Sequence, residues 1–278
     1  MPALRRVAGV GEVIEVESAA GIDRHRATQE GWEIVRPGGA VRLGGLRRQV
    51  AAPRPLIDLN RPSRPGAVAP HVAPPPALDG SLDDFDASAP LTLDYDDQYR
   101  RSEEPYGGAE EFSATALVNW DGDGLYLGVD VVKPDLVVRS ADAPALRLDN
   151  EPDDIHADGL QVYVRPERDG PVYGFLVVPS DDRGGVRVSA TSGSAATPGM
   201  VTGAWRPTGT GYSVALRLAL PDWSPRGGDL LGFDLLVNEM HPGRLRRAGQ
   251  LVWTGGGGWV YLRGDRQPAE AFGTLELA

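Results

Sequence analysis

Short stretches of apolar, β-branched and aromatic residues recur through the C-terminal two-thirds of the chain, about every 8 to 15 residues, with turn-forming residues between them. This spacing is typical of all-β sandwiches. No amphipathic pattern supports a helix longer than about ten residues. The clearest predicted strands lie at 113–119, 125–132, 160–164, 172–178, 186–190, 212–220, 231–237, 250–253 and 272–277.

The patterns also predict which strands are central. Residues 125–131 and 233–237 are apolar at nearly every position, as expected of strands that are buried on both faces at the middle of a sandwich. Residues 212–218 alternate between apolar and polar side chains, which predicts a strand with one face in water.

The N-terminal part of the chain shows a second group of strand patterns. Within residues 10–52 they fall at 12–18, 32–35, 40–43 and 49–51, and Pro37-Gly38-Gly39 marks a turn. A small meander or hairpin pair of this size buries little surface by itself. We therefore expect residues 1–52 to form a β-rich extension that packs on the main body or on a partner.

A proline-rich stretch separates the two groups of strands. Because closely spaced prolines make a stiff, extended connector, residues 53–76 are predicted to be a linker and residues 77–278 the main domain. Eight prolines define the stretch, namely Pro53, Pro55, Pro62, Pro65, Pro70, Pro74, Pro75 and Pro76.

Composition narrows the function classes. The 278 residues include 36 Gly and 24 Pro, too many for a helical protein. A net charge of −11 argues against nucleic acid, which needs clustered Lys and Arg. The absence of cysteine excludes disulfides, thiolate metal sites and a cysteine nucleophile. No stretch approaches the roughly 20 apolar residues of a membrane span, and residues 1–20 lack the apolar core of a signal peptide.

Five segments of the main domain resemble, in order, the motifs of family 9 carbohydrate-binding modules and of the related sandwiches that include haem-binding and redox-associated domains. The first, ALDGSLDDF, is similar to the opening "IDG.LDE.W" of the family, and the last, AFGTLEL, to its closing "FG.L.L". The five segments are 77–85, 116–121 with 125–129, 158–164, 231–238 and 271–277.

The resemblance implies an antiparallel β-sandwich of immunoglobulin-like or jelly-roll type, with a small N-terminal β-hairpin extension. It also implies a noncatalytic module that grips the end of a glycan between two tryptophans and polar side chains, often with structural calcium. Sugars suit such a site because their CH faces stack on aromatic rings and their hydroxyls need hydrogen-bond partners. An extracellular or periplasmic location is expected, although no signal peptide is seen.

Matching the family motifs residue by residue gives candidate ligand-binding side chains. The second stacking tryptophan has a counterpart in Trp259, and the first falls near Ile155, with His156 beside it. The binding glutamate becomes Gln161, and the family's arginine aligns with a residue such as Leu176. This chain therefore lacks one of the two stacking tryptophans of the family's binding site.

Tryptophans also have structural uses. Trp253, six residues before Trp259, is a further ligand-binding candidate, although its place beside a strand favours core packing. Trp259 follows four glycines, so its ring could be presented to a ligand or folded onto the core.

Calcium could bind an acidic segment. Asp153, Asp154 and Asp158 are the candidate metal ligands, with Asp149 and Glu151 nearby. The alternative is a solvated acidic loop.

Nothing in the sequence marks an enzyme. There is no G-x-S-x-G motif, the four histidines have no recognisable triad partners, and no two carboxylates are marked as facing each other.

A carbohydrate-binding module that targets a polysaccharide-active system is the first interpretation. The second is a structural protein that docks to a larger complex through residues 1–76. The third is a haem-linked redox domain with Met240 and His241, His156 or Lys133 as axial ligands. An open aromatic surface around residues 155, 161 and 259 would favour sugar binding. A surface filled by the chain's own side chains would favour docking to a larger complex.

Overall fold

The chain is built from β-strands and short 3-10 helices, in two units that span Met1–Arg54 and Pro55–Ala278. A computed structural model describes residues 13–18, 21–28, 31–36, 39–41, 65–148, 151–180, 184–262 and 264–278. None of the helices in these ranges is long and apolar enough to span a membrane.

The described residues of the first unit form an antiparallel sheet of four strands in chain order. Three of its strands fall where strand patterns were predicted, whereas β2, with several charged residues, carries no clear pattern. The predicted strand at 49–51 lies outside the described residues. The strands are β1 (Val13–Ser18), β2 (Gly21–Thr28), β3 (Gly31–Arg36) and β4 (Gly39–Val41).

The second unit has thirteen strands in the described ranges, and they pair into two sheets. Each of the nine predicted strands of the main domain is present within one or two residues of its predicted ends. The strands are β5 (Gly66–Ala69), β6 (Leu91–Leu93), β7 (Tyr99–Arg101), β8 (Ser113–Asp121), β9 (Gly124–Val132), β10 (Gly159–Arg165), β11 (Tyr173–Pro179), β12 (Val186–Ala190), β13 (Val201–Pro207), β14 (Gly211–Leu218), β15 (Leu230–Glu239), β16 (Gly249–Val252) and β17 (Gly273–Leu277).

The two sheets form a β-sandwich. The larger sheet has the order β12-β11-β10-β15-β16-β7, and β17 joins β15 to β5 at one end. The smaller sheet has the order β13-β14-β9-β8-β6. All pairings are antiparallel except that of β17 with β5. The predicted all-β antiparallel sandwich is thus confirmed.

Alternate side chains of the central strands fill the space between the sheets. Leu127 and Val129 of β9 meet the layer that contains Val162 of β10, Phe175 of β11 and Leu235 of β15. These side chains are excluded from water. The prediction that residues 125–131 and 233–237 lie at the centre is confirmed, because β9 and β15 are buried along most of their length.

The predicted wet face of residues 212–218 is wrong. Ser213 and Ala215, the alternate residues of β14, are buried because the segment 72–85 crosses the outer face of the smaller sheet. Phe85 and Leu82 pack there with Ala215, and the Ser213 hydroxyl donates a 2.7 Å hydrogen bond to the Gly80 carbonyl. We call residues 72–85 the strap.

The stretch assigned to a linker contains part of the sandwich. β5 lies within residues 53–76 and pairs in parallel with β17. The chain then runs beside β8, where Val72 N–H donates to the Trp120 carbonyl and Trp120 N–H to the Pro70 carbonyl. The prolines of this segment lie outside β5, so the backbone N–H groups of β5 remain available for pairing at the sheet edge.

Candidate functional site

A layer of buried polar side chains covers the outer face of the larger sheet. Because side chains alternate along a strand, Gln161 of β10, Asn238 of β15 and Gln250 of β16 project away from the core. Both glutamine amides donate to Asn238 Oδ1, at 3.1 Å from Gln161 and 2.7 Å from Gln250. Arg100 of β7 donates to Gln250 Oε1 at 2.8 Å. We call this row the polar face.

The described residues of the segment 254–271, which we call the covering segment, lie over the polar face and are held by hydrogen bonds. Thr254 and Gln267 each donate to Asp234 Oδ2 of β15 at 2.7 Å. Arg100 donates to Gln267 Oε1 at 3.2 Å. Burial raises the pKa of Asp234 to about 6, against the lowering effect of these donors. The polar face is therefore closed to solvent by the protein itself.

Arg247 connects the covering segment to the neighbouring loops. Its buried guanidinium donates to Glu151 Oε1 at 2.9 Å, to the Val260 carbonyl at 3.0 Å and to the Gly264 carbonyl at 2.7 Å. His156 packs beside it, with Nε2 3.4 Å from Glu151 Oε2. Burial and the nearby Arg247 charge lower the pKa of His156 to about 4, so the imidazole is neutral at pH 7.

An open groove of about 960 Å³ lies beside the covering segment. Most of its lining comes from two segments, 191–194 and the described residues of 261–268, with Tyr163, Val172 and Glu151 completing it. Ser192 N–H donates to Asp265 Oδ2 at 2.8 Å and so links the two segments. The groove combines hydroxyl, carboxylate and amide groups and the guanidinium of Arg266 with an aromatic ring.

The aromatic ring of the groove is Tyr261. It is partly exposed, and its hydroxyl donates to the Arg247 carbonyl at 3.1 Å. The guanidinium of Arg246 lies 5.3 Å from the ring centre, a cation–π arrangement. The backbone around it is also held, because Leu262 N–H donates to the Trp259 carbonyl at 3.2 Å. These contacts fix the orientation of the ring.

Trp259 stands next to the groove rather than in its lining. Its ring is 46% exposed, and the Arg101 guanidinium lies 5.2 Å from the ring centre. One of the glycines that precede it is bound at β7 and just before it: Gly256 N–H donates to the Asp97 carbonyl at 2.8 Å, and Arg100 Nε donates to the Gly256 carbonyl at 2.9 Å. The glycine run is thus anchored at Gly256.

The other ligand-binding candidates are buried. Gln161 belongs to the polar face, and His156 lies against Arg247. Trp253 points between the sheets, with its ring 5.8 Å from that of Phe233. Ile155, near the position of the family's first stacking tryptophan, packs in a small apolar cluster. The surface around residues 155 and 161 is therefore filled, and among the four ligand-binding candidates only Trp259 presents its ring to solvent.

The candidate calcium ligands are engaged with cations. Within the described ranges no group of three or more His, Asp or Glu side chains is arranged to hold a metal ion. Calcium binding stays a prediction. The ion pairs are Asp153 with Arg139 at 3.2 Å, Asp154 with Arg187 at 2.8 Å and Asp158 with Lys133 at 3.0 Å.

The candidate haem ligands are likewise in other contacts. Met240 is buried, and its N–H donates to Asp158 Oδ1 at 2.8 Å. Lys133 is the ion-pair partner of Asp158, and His241 Nε2 lies 3.0 Å from Glu239 Oε1.

Sequence reasoning missed the residues that line the groove. The segment TSGS at 191–194 reads as an ordinary turn, and Tyr261 stands in the apolar run WVYL, which reads as core. Asp265 and Gln267 are scattered polar residues without a motif. No local signal marks these residues, because the groove forms only when two distant segments meet over the sheet.

Comparison with known proteins places the sandwich. Residues 78–278 match the family model described as carbohydrate family 9 binding domain-like. A comparison with curated protein sequences found no significant match. Two similar solved structures are of a family 9 carbohydrate-binding module from Caldicellulosiruptor kristjanssonii, one in complex with cellotriose and one with glucose.

Both structures share the fold at low sequence identity. The cellotriose complex has a TM-score of 0.54 and 17% identity, over 77% of this chain and 93% of that one. The glucose complex has a TM-score of 0.52 and 17% identity, over 77% and 96%. The family match covers most of the chain, and the fold agrees with it. The chain therefore belongs to the carbohydrate family 9 binding domain-like family.

Proposed function

We propose that the sandwich is a noncatalytic carbohydrate-binding module that takes its glycan in the groove between segments 191–194 and 261–268. The observation that carries the proposal is the open groove whose lining combines polar side chains with the Tyr261 ring. Family membership supports carbohydrate as the ligand class. The site is displaced from the polar face, which the chain itself covers.

The groove has the chemistry that a sugar needs. The CH face of a pyranose stacks on an aromatic ring such as that of Tyr261. Its hydroxyls can bond to the Ser192 and Ser194 side chains and to Asp265. A volume of about 960 Å³ lies at the upper end of the range for small-molecule sites.

The lining of the groove carries charges of both signs. Glu151 and Asp265 lie there with the exposed Arg266, and Glu151 is paired with Arg247, so the charges do not select an acidic glycan. The two C. kristjanssonii modules are described in complex with cellotriose and glucose, which are neutral. Neutral glucans are thus the first glycans to test.

The same carboxylates support a binding role without catalysis. Glu151 is bound to Arg247, and Asp265 accepts from Ser192 N–H, so neither is held as a general acid or base across a glycosidic bond. The module would act as the targeting or accessory part of an extracellular or periplasmic polysaccharide-active system.

The test is the loss of binding on Tyr261→Ala. Removing the stacking ring is expected to weaken glycan binding about tenfold, equivalent to roughly 1.4 kcal/mol. The measurement is affinity-gel electrophoresis with neutral β-glucan, xylan and mannan. Tyr95→Ala is the matched control, because Tyr95 is 54% exposed and lies outside the groove. Tyr261→Phe keeps the ring and should retain binding.

One observation favours a second function, docking to a larger complex. The surface around residues 155 and 161 is filled by the chain's own side chains. If no glycan binds and a stable partner is retained only when residues 1–76 are present, the docking function replaces the first. Unchanged binding by Tyr261→Ala would instead remove the groove as the sugar site.

A further inference from the structure

Arg247 contacts the groove from inside the protein. Its side chain is fully buried and does not belong to the groove lining. Its Nη2 nevertheless donates to Glu151 Oε1 at 2.9 Å, and to the carbonyls of Val260 at 3.0 Å and Gly264 at 2.7 Å. The Arg247 carbonyl accepts from the Tyr261 hydroxyl at 3.1 Å. One buried residue therefore holds several parts of the groove at once.

The two carbonyls that Arg247 binds flank the stacking ring in the chain. One lies directly before Tyr261 and the other three residues after it. Asp265, the next residue, is bonded in turn to the segment 191–194. The Arg247 side chain thus sets where the Tyr261 ring stands relative to the Glu151 carboxylate and to the segment 191–194.

The stability of the fold does not account for a charge at this position. Two guanidinium nitrogens of Arg247, Nε and Nη1, have no hydrogen-bond partner among the described residues. Burial lowers the pKa of Arg247, against the raising effect of the Glu151 carboxylate. A buried ion pair adds little net stability, and unpaired buried donors reduce it further. A residue that departs from good core packing in this way is expected where function requires it.

From these contacts we infer that Arg247 is a positioning residue of the groove, which fixes the Tyr261 ring without touching the glycan. The inference rests on the proposed function. Lysine would keep the positive charge, but its ammonium is a single point on a flexible stem and does not reproduce the planar guanidinium. Arg247→Lys should therefore leave Glu151 paired with a cation and release the carbonyls on either side of Tyr261.

The first measurement is a double-mutant cycle on glycan affinity, determined by calorimetry with the hexasaccharides of cellulose, xylan and mannan. Arg247→Lys should weaken binding about fivefold in the otherwise unchanged chain. In the Tyr261→Ala background the same substitution should cause no further loss, because the ring that Arg247 positions is gone. Equal losses in the two backgrounds, or wild-type affinity for Arg247→Lys, would overturn the inference.

Arg187→Lys is the matched control. Arg187 also joins two segments through its guanidinium, since it donates to both carboxylate oxygens of Asp154 and to the Arg139 carbonyl, each at 2.8 Å. It lies outside the groove lining. Its substitution should leave affinity within about twofold of the wild type. A loss as large as that of Arg247→Lys would show that binding responds to any damaged arginine contact, against the inference.

The second measurement is hydrogen exchange, which separates local positioning from general stability. Leu262 N–H donates to the Trp259 carbonyl at 3.2 Å, so its exchange reports the order of the backbone at Tyr261. Arg247→Lys should speed exchange at this amide about fivefold or more and leave β10 and β15 unchanged. A matching increase throughout β10, β15 and β16 would show a role in stability alone and would contradict the inference.

A second variant decides the matter if Arg247→Lys does not fold. Glu151→Gln/Arg247→Met removes both charges together, which proteins tolerate better than the loss of one partner of a buried ion pair. Its affinity should be about fivefold below that of Glu151→Gln alone. Equal affinities would overturn the inference while leaving glycan binding intact. Absence of wild-type binding to every glycan of the β-glucan, xylan and mannan panel would overturn the proposed function, and the inference with it.

Discussion

At the residue scale, burial shifts the pKa values of two ionisable groups near the polar face in opposite directions. Asp234 is held among Thr254 and Gln267 without a cation in direct contact, and burial raises its pKa from 3.8 to about 6. Burial lowers the pKa of His156 from 6.5 to about 4. In each case the fold favours the neutral form, as expected in a medium that solvates charge poorly.

Asp234→Asn should remove one pH-dependent part of the free energy of unfolding. With a folded-state pKa of about 6 and an ordinary value of 3.8, the folded protein binds more protons than the unfolded chain between those limits. The stabilising contribution is thus complete below about pH 4 and is lost as the pH rises through 6. When the pH is lowered from 7 to 4, the free energy of unfolding of the wild type should rise by on the order of 2 to 3 kcal/mol relative to that of the variant.

Urea unfolding at several pH values measures this difference. His156 titrates in both proteins and acts in the opposite direction, because its neutral folded form loses stability as the pH falls from about 6.5 to 4. Comparing the two proteins at each pH removes that contribution. A difference that stays constant between pH 7 and pH 4 would show that Asp234 is ionised throughout.

At the element scale, the strap is a structural part of the sandwich. Phe85 is buried, and its ring lies over Gly128 of β9, where a Cβ would come within 3.1 Å of it. Asn119 of β8 holds the end of the strap by accepting from Asp86 N–H at 2.9 Å. The strap thus covers apolar surface on the smaller sheet that would otherwise face water.

Phe85→Ala should lower the free energy of unfolding by about 3 kcal/mol, through lost burial and the cavity left behind. Chemical denaturation followed by tryptophan fluorescence measures it. Leu230→Ala is the control, because Leu230 is 63% exposed and should change stability by less than about 0.5 kcal/mol. Equal effects of the two substitutions would mean that the strap contributes little.

Sequence patterns predict strands that need only an apolar layer packed against them. They do not predict which strand faces are covered by one specific segment of the chain. The continuous apolar runs of β9 and β15 require only a second apolar layer, so their place was predictable. The alternation in β14 predicted water on one face, whereas Leu82 and Phe85 cover it. Gln161 was expected to meet a ligand, yet it is buried with Gln250, and both amides donate to Asn238 of β15. The sequence of a strand does not show whether another segment of the chain packs on its outer face.

At the scale of the whole molecule, the same limit of sequence patterns explains why the fold was predicted and the groove was not. The family motifs lie mostly on strands, and the strands define the fold, so the sandwich was predictable from five short segments. The groove is made by the loops at 191–194 and 261–268, which carry no motif. Loops tolerate sequence change better than strands do. The ligand site can therefore change while the fold persists.

The start of the sandwich can be tested by truncation. A chain that begins at residue 77 lacks β5, which exposes one edge of β17 and removes buried Ala69 from the core. It also loses the hydrogen bonds between 70–72 and Trp120. Compared with a chain that begins at residue 55, it should unfold at a lower temperature, by about 4 °C for each 1 kcal/mol lost. The two chains should bind glycan equally at 10 °C, because the groove residues are all retained. Equal melting temperatures would instead place residues 66–72 outside the cooperative unit, as a linker would be.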